Sequence, residues 1–592
     1  MLYRLSYGII YFGGAIIRKT FSNLQIFFEK NLILLPIKKF LYFVVQKKYL
    51  MKQILYTISF ALFLLVSQAN YAQEKKSKID ILDNPKLMLA KQTMYAGKYK
   101  SAIQQFKELY DKYPANSELP YHIGYCYYEI NNLKNSKEYL SEAEQNGASI
   151  PETYLYLGLI FQRESNFEKA LEYFQKFKSN VSSKKQLEES DVDVYISQCN
   201  NAIEMKKNPV PVQVINMGQD INSPYDDATP CITADGKMLV FNTRRPEDPN
   251  SSVDVEGDGK YFQDIYVSYF DTVNKKWLPA QPVPGNVNTD AHDAITSISP
   301  DGKMIFIYKN DTREHESAGG DIFISKITKN KWKTPEPIGK PINSTYWEGG
   351  ACISPDGKTL FFTSERKGGY GHSDIWMSKK INNKEWSKPE NLGSTINTPY
   401  DEVGLFMAPD GKTLFFASNG PKSMGSYDVF KTTFENGKWT EPVNLGYPIN
   451  TEFADGPISL DASGRVAYIS SDRPGGVGEK DIYMIDLSEY PLLGSKKEKL
   501  ANGLSILKGT VRDGFEGFGL VDAKVEIYDD KDVLVNSLIT NENGEYFITL
   551  PGDKQYTIKV TAKGFQQYSE KINLPTGKDD TYTLVKDFLM KK

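Results

Sequence analysis

Four cysteines and four histidines in 592 residues leave little room for several kinds of chemistry. Four cysteines in a chain this long make no disulfide framework. Cys126 and Cys199 sit in helical patterns, and Cys231 and Cys352 occupy equivalent places two repeats apart, so buried thiols are expected. His122, His292, His315 and His372 lie in unrelated contexts, without the spacing of metal ligands. No Gly-x-Ser-x-Gly elbow is present either. The sequence therefore offers no catalytic residue, metal ligand or cofactor site, and a non-enzymatic protein is expected. No uninterrupted run of about twenty apolar residues occurs. Basic residues are concentrated at the start: residues 1–72 hold nine Lys/Arg against Glu29, so residues 73–592 carry a net charge of -11. An acidic body without a basic stripe argues against nucleic acid or anionic lipid as the main partner.

Residues 51–72 read as a secretory signal. Met51-Lys52 is a short positive start, and Ile54 to Val66 is an apolar core of suitable length. Ser67-Gln68-Ala69 or Asn70-Tyr71-Ala72 offers a cleavage point before Gln73, and no cysteine follows for lipid attachment. Residues 1–50 are aromatic, basic and broken by Pro36. The expectation is that Met51 is the true start and residues 1–50 are a non-native extension, the rival reading being a membrane-proximal segment.

What is abundant is repetition. Ala90, Gly124 and Gly158 are spaced by 34 residues, as are Ala102, Ser136 and Ala170, and again Phe106, Leu140 and Phe174. Small residues let paired helices approach and the large ones fill the gap, so residues 83–207 are expected to form a helical solenoid with Leu187 to Lys206 as its cap. The pattern resembles the tetratricopeptide repeat, down to Gly97-Lys98-Tyr99 and Pro114. The resemblance implies a concave groove lined by the first helix of each pair. Its positions here are Glu118, Tyr121, Tyr125 and Tyr128, then Glu152, Leu155, Leu159 and Gln162. Tyrosines suit partner binding, although the same rings could instead pack on the next domain.

Residues 209–488 repeat with a longer period. Ser299-Pro300-Asp301-Gly302-Lys303, Ser354-Pro355-Asp356-Gly357-Lys358 and Ala408-Pro409-Asp410-Gly411-Lys412 are separated by 55 and 54 residues, with weaker copies at Ala234 and Ala462. Pro presets φ, Asp bonds its own backbone and Gly accepts positive φ, so each copy is a tight turn between half-buried strands. In phase with the turns run a Gly-x-x-Ile/Val-Asn loop (Asn222, Asn288, Asn343, Asn397, Asn450) and an Asp that opens a strand (Asp264, Asp321, Asp374, Asp428, Asp481). A Trp closes four units (Trp277, Trp332, Trp386, Trp439). Aspartates repeating in phase are structural, not catalytic. The repeats resemble the WD-like propeller repeats of TolB-type proteins. Five blades are expected, six being the alternative, with Val210 to Met217 completing the last blade. Asp254-Val255-Glu256-Gly257-Asp258-Gly259 resembles half a calcium loop but lacks the Glu at position twelve.

After the Lys-rich linker Ser495 to Lys499, residues 500–592 alternate in short runs such as Ala523 to Tyr528 and Tyr556 to Val560, as a small β-sandwich does. They resemble the carboxypeptidase-regulatory-like, transthyretin-like domain, which has no catalysis of its own. The whole order, signal, helical repeat, propeller and sandwich, resembles a family of Bacteroidetes cell-envelope proteins. There an OmpA-like peptidoglycan-binding domain usually follows, and one member anchors the type IX secretion system in the periplasm. This chain stops at Asp587-Phe588-Leu589-Met590-Lys591-Lys592, so no peptidoglycan-binding module carries over. The resemblance implies a periplasmic, outer-membrane-associated scaffold that binds envelope proteins. The alternative is a propeller holding a glycan or peptide in its channel.

Overall fold

The computed structural model describes residues 46–47, 51–62, 77–147, 149–248, 251–254, 259–309, 320–382, 385–493, 503–578 and 580–592. The expected cleavage region before Gln73, most of residues 1–50, the interior of the Asp254–Gly259 half-loop, His315 and the Ser495–Lys499 linker lie outside them. Residues 51–62 are helical. Among the described residues no helix is long and apolar enough to cross a membrane. The chain divides into two compact units, Met1–Leu87 with Lys107–Asn116, and Met88–Phe106 with Ser117–Lys592.

In the first unit, among the described residues, Asp83 bonds to two residues of the Lys107–Asn116 segment. Its Oδ2 accepts hydrogen bonds from Lys112 at 2.5 Å and from the Tyr113 hydroxyl at 2.6 Å. These two donors hold its carboxyl down at about 2.

The helices of residues 84–207 are α1 (Asn84–Tyr95), α2 (Tyr99–Lys112), α3 (Glu118–Glu129), α4 (Leu133–Gln145), α5 (Glu152–Arg163), α6 (Phe167–Asn180), α7 (Lys184–Glu189) and α8 (Val192–Lys207). The 34-residue phase has a steric cause. A Cβ on Gly124 would stand 2.7 Å from Leu140 Cγ, and one on Gly158 would stand 2.5 Å from Phe174 Cε1. Only glycine admits the large side chain of the facing helix. Asn132 and Asn166 cap α4 and α6, each accepting from the backbone N–H three residues on at 3.2 Å. The short turns before them pass through the left-handed region at Asn131 and Ser165.

Residues 213–486 form five antiparallel sheets. Sheet 1 holds Asp227–Ile232, Met238–Thr243, Asp264–Asp271 and Lys276–Trp277. Sheet 2 holds Ala294–Ile298, Met304–Lys309, Asp321–Thr328 and Lys331–Trp332. Sheet 3 holds Glu348–Ile353, Thr359–Ser364, Asp374–Lys379 and Glu390–Asn391. Sheet 4 holds Glu402–Met407, Thr413–Ser418, Asp428–Glu435 and Lys438–Trp439. Sheet 5 holds Asp455–Leu460, Val466–Ser471 and Asp481–Asp486, and its fourth strand is Gln213–Asn216 from the other end of the region. Gln213 lies opposite Asp486 and Asn216 opposite Tyr483. The apolar cores lie between neighbouring sheets: 1 with 2, 2 with 3, 3 with 4, 4 with 5, and 5 with 1. That burial on both faces explains the continuous apolar runs, for Leu360 and Phe362 face sheet 2 while Phe361 faces sheet 4.

Each phased residue has a task in this ring of contacts. The turn aspartates accept the N–H two residues on, as at Asp356 from Lys358 (3.1 Å), and Gly357 takes a φ of 69°. The loop asparagines clamp the third strand: Asn222 donates to Ile482 O at 2.9 Å and accepts from its N–H at 2.8 Å. Asn288, Asn343, Asn397 and Asn450 do the same to Ile265, Ile322, Ile375 and Val429. In sheets 3, 4 and 5 a second asparagine (Asn391, Asn444, Asn216) ties that clamp to Asp374, Asp428 and Asp481. Sheet 1 has Pro282 at the matching place. There burial, with Glu247 and Asp293 nearby, pushes Asp264 up to about 7.

At the start of each inner strand stands a buried acid: Asp227, Asp293, Glu348, Glu402 or Asp455. Each accepts from the backbone N–H and hydroxyl of the Ser or Thr four residues before it. Arg245, Lys309, Arg366 and Arg473 pair with four of them at 2.6 to 3.0 Å. In sheet 4 the corresponding residue is Gly420.

Residues 503–592 make two more sheets, each of four strands, beside the four- and five-stranded sheets of the ring, over a core that includes Val525, Ile527, Tyr556, Ile558 and Phe588. This sandwich rests on the turn end of the ring. Leu504, Ile506 and Phe547 pack against Ala234 and Ala462, and Lys303 pairs with Glu545 at 2.6 Å.

Candidate partner-binding site

Three of the tyrosines of α3 do not splay apart. The rings of Tyr121, Tyr125 and Tyr128 converge on one residue that the repeat pattern did not mark, Tyr156 of α5, while Tyr127 stacks on Tyr139. Tyr125 and Tyr128 meet it edge-on at centroid distances of 5.2 and 5.0 Å, and Tyr121 approaches to 6.5 Å. Tyr121 and Tyr125 stack at 6.4 Å, and Tyr99 of α2 closes on Tyr125 at 6.2 Å. The five rings are half-buried. Burial raises the phenols of Tyr99, Tyr121, Tyr125, Tyr128 and Tyr156, so all are neutral donors at pH 7. Glu129 lies one turn after Tyr125. Its carboxyl is raised by burial, against the pull of hydrogen bonds from Tyr125 and Tyr99.

A charged group borders the rings. Glu118 pairs with Lys91 of α1, and His122 Nε2 stands 3.5 Å from the same carboxylate. These partners hold Glu118 down at about 2. His122 is buried and stacked on Phe106 at 5.0 Å, and burial lowers its pKa. It is a neutral, packed histidine at pH 7.

The third repeat supplies less open surface. Leu155, read from the sequence as lining the groove, is only 8% exposed and belongs to the solenoid core, and Leu159 packs against that core. Gln162 is buried and reaches Gln198 of α8 at 3.4 Å. The reason is α8, whose Val192, Cys199 and Ala202 complete the same core. The half-buried groove positions are thus Tyr121, Tyr125, Tyr128 and Leu159, with Tyr99 and Tyr156 beside them, and Tyr121, Tyr128 and Tyr156 pack on the solenoid core as Leu159 does. Tyr156 was missed because the groove positions advance in the 34-residue phase from α3, and its place in that phase is His122, one residue after Tyr121 and on a neighbouring side of the helix.

Other residues join the solenoid to the sheets. Gln198 donates to Asn419 O at 2.9 Å, and Asn201 donates to Pro421 O and Ser423 O at 2.8 and 2.9 Å. Met424 of sheet 4 is fully buried in the solenoid core. Lys206 pairs with Glu452 at 2.8 Å. Arg163 pairs with Asp472 and lies over the Phe453 ring at 5.6 Å. The junction therefore runs through α8 and the end of α5, and the ring contacts of Tyr121, Tyr125 and Tyr128 are with solenoid residues.

Among the described residues no group of three or more His, Cys, Asp or Glu could hold a metal ion. The four cysteines are free and buried. A small pocket at the turn side is lined by Ile232, Ser297, Ile298, Cys352, Phe406 and Leu460.

Residues 152–182 match the family model of the tetratricopeptide repeat, and residues 506–586 match that of the carboxypeptidase regulatory-like domain. No curated protein matches the chain. Among solved structures it is similar to the Yersinia enterocolitica type III secretion chaperone SycD in complex with a peptide of the translocator YopD. Identity is 16%, covering 22% of this chain and 98% of that one, with a TM-score of 0.20. An endo-arabinase from Bacteroides thetaiotaomicron is 13% identical, over 48% of this chain and 98% of that one, with a TM-score of 0.30. A Trypanosoma rangeli sialidase is 10% identical, over 63% and 92%, with a TM-score of 0.29. The chain thus carries a tetratricopeptide repeat followed by antiparallel sheets and a carboxypeptidase-regulatory-like domain.

Proposed function

We propose that this protein is a non-enzymatic scaffold of the cell envelope that binds other proteins through its solenoid. The observation that carries the reading is the half-buried tyrosine cluster around Tyr156. Aromatic rings with few rotors are the side chains that dominate protein interfaces. The residues that join the solenoid to the sheets are different ones, so packing on the sheets does not account for the cluster. We read the five sheets as a five-bladed β-propeller closed by Gln213–Asn216, serving as a rigid platform. The phased aspartates favour a platform over an active site, because the carboxylates of Asp374, Asp428 and Asp481 are taken up by backbone N–H groups and asparagines of their own sheets.

The leader-like segment at residues 51–72 and the acidic body support a periplasmic setting, and the domain order supports attachment to an outer-membrane or secretion complex. The test is cross-linking in envelope fractions, comparing wild type with the Tyr121→Ala, Tyr125→Ala double variant. Loss of a membrane-protein partner at an unchanged melting temperature supports the reading. Equal partner recovery from both proteins sinks it.

A further inference from the structure

The sheets are near-copies, and the copies reveal a second binding surface that does not depend on the solenoid groove. At sheet 5 the guanidinium of Arg163 is held by two groups: the Phe453 ring beneath it and the Asp472 carboxylate beside it. Both belong to the loop end of the sheet. Phe453 stands two residues before the buried acid Asp455, and Asp472 follows Ser471, the residue opposite Asp455 in the register. Sheet 3 has the same frame. Glu348 lies opposite Ser364, and Arg366 pairs with Glu348 and donates to Pro341 O and Ile342 O. Arg473 likewise pairs with Asp455 and donates to Pro448 O and Ile449 O. Two residues before Glu348 stands Tyr346, and after Ser364 stands Glu365. The aromatic ring and the carboxylate are therefore both present again.

The other sheets lack one half of the pair. Sheet 1 has Tyr225 with Arg244, sheet 4 has Tyr400 with Asn419, and sheet 2 has Ala291 where the ring would be. At sheet 3 the surroundings add apolar contact area. Trp347 is half-buried and donates to the Tyr308 hydroxyl at 3.2 Å, and Tyr370 is 53% exposed. Glu365 is exposed, while the cation next to it, Arg366, is committed to Glu348.

We propose that the loop end of sheet 3, built from Tyr346 and Glu365 with Trp347 and Tyr370 around them, is a docking site for an arginine side chain of a protein partner. A planar guanidinium can stack on the ring and pair with the carboxylate at once, which a lysine ammonium does less well. The net charge of -11 over residues 73–592 favours a basic segment in the same place.

The test titrates the full chain with a labelled hexa-arginine peptide at 150 mM salt, with hexa-lysine as the comparison. Hexa-arginine binding that weakens about threefold or more in both Tyr346→Ala and Glu365→Gln supports the site, as expected for one stacked cation and one surface ion pair. The two changes made together should weaken binding by less than the product of the single effects, because one guanidinium uses both groups. Equal hexa-arginine affinity of wild type and both variants overturns the proposal. So does hexa-lysine binding as tightly as hexa-arginine and responding identically to the variants. A fall of several degrees in the melting temperature of Glu365→Gln also overturns it, since the carboxylate would then serve the fold.

Discussion

Gly420 in sheet 4 holds the place that Arg473 holds in sheet 5, and the difference leaves Glu402 without the cation that Asp455 has. Glu402 keeps only Thr398 and Ser418 as donors. The gap is where the solenoid docks, for Asn419, Pro421 and Ser423 on either side of Gly420 accept from α8.

Burial pushes Glu402 up to about 7 from an ordinary 4.5. A carboxyl whose folded value is raised favours the protonated native state, so its contribution is fully present below about pH 4.5 and is lost as pH rises through 7. The loss amounts to as much as about 3 kcal/mol. Glu402→Gln, which stays neutral, should be more stable than wild type at pH 8 and nearly equal to it at pH 4.5. Thermal melting of the two proteins at both values checks this. A constant difference across that range would show that Glu402 does not titrate as described.

Gly420→Arg should restore the missing cation and displace the helix. A Cβ at Gly420 already stands 3.2 Å from the Tyr400 ring. The expected result is faster proteolytic cleavage between α8 and sheet 5, near Pro209, while the sheets themselves stay folded. Unchanged cleavage kinetics would count against the junction as drawn.

Asn222 clamps Ile482 across 260 residues of sequence. Asn222→Ala strands the buried N–H of Ile482, a penalty of about 1 to 3 kcal/mol, while the Ile482 C=O keeps the Met217 N–H at 3.1 Å. Asn288→Ala, within a sequence-local clamp, removes the same bonds. Denaturant titration should show similar losses in both. A negligible loss in Asn222→Ala would mean that water replaces the clamp.

Gly158→Ala sets a helix-propensity gain of about 1 kcal/mol against overpacking worth about 1 to 3 kcal/mol. With a Cβ placed 2.5 Å from Phe174 Cε1, the clash wins and the variant melts earlier. Adding Phe174→Leu should recover most of the loss. Failure of that rescue would locate the strain elsewhere.

Much of this was legible in the sequence, and the legible parts share a cause. Gly124 and Gly158, the Pro-Asp-Gly turns and the loop asparagines recur at fixed spacing because one backbone geometry demands one residue type each time. The strand Gln213–Asn216 was readable for the same reason, as the missing fourth strand of sheet 5. What escaped depends on departures from the phase. Gly420 and Met424 look like ordinary loop residues until the sheets are set side by side, and their meaning comes from α8, more than two hundred residues earlier. Tyr156 escaped because ring packing between helices is not carried by spacing along one helix. Leu155 was placed in an open groove because the pattern does not say how far a capping helix reaches.

The closure of sheet 5 also sets how the protein would bear mechanical load. The chain arrives from the solenoid at Gln213 and leaves toward the sandwich at Asp486, and these two residues are opposite each other at the same end of an antiparallel ladder of four pairs. A pull between a partner on the solenoid and one on the sandwich, once their docking contacts gave way, would peel this ladder one pair at a time. The other four sheets would carry almost no tension. The seam at Gln213–Asn216 is therefore the mechanical fuse of the molecule: force opens the ring there first, while the rest of each sheet remains intact.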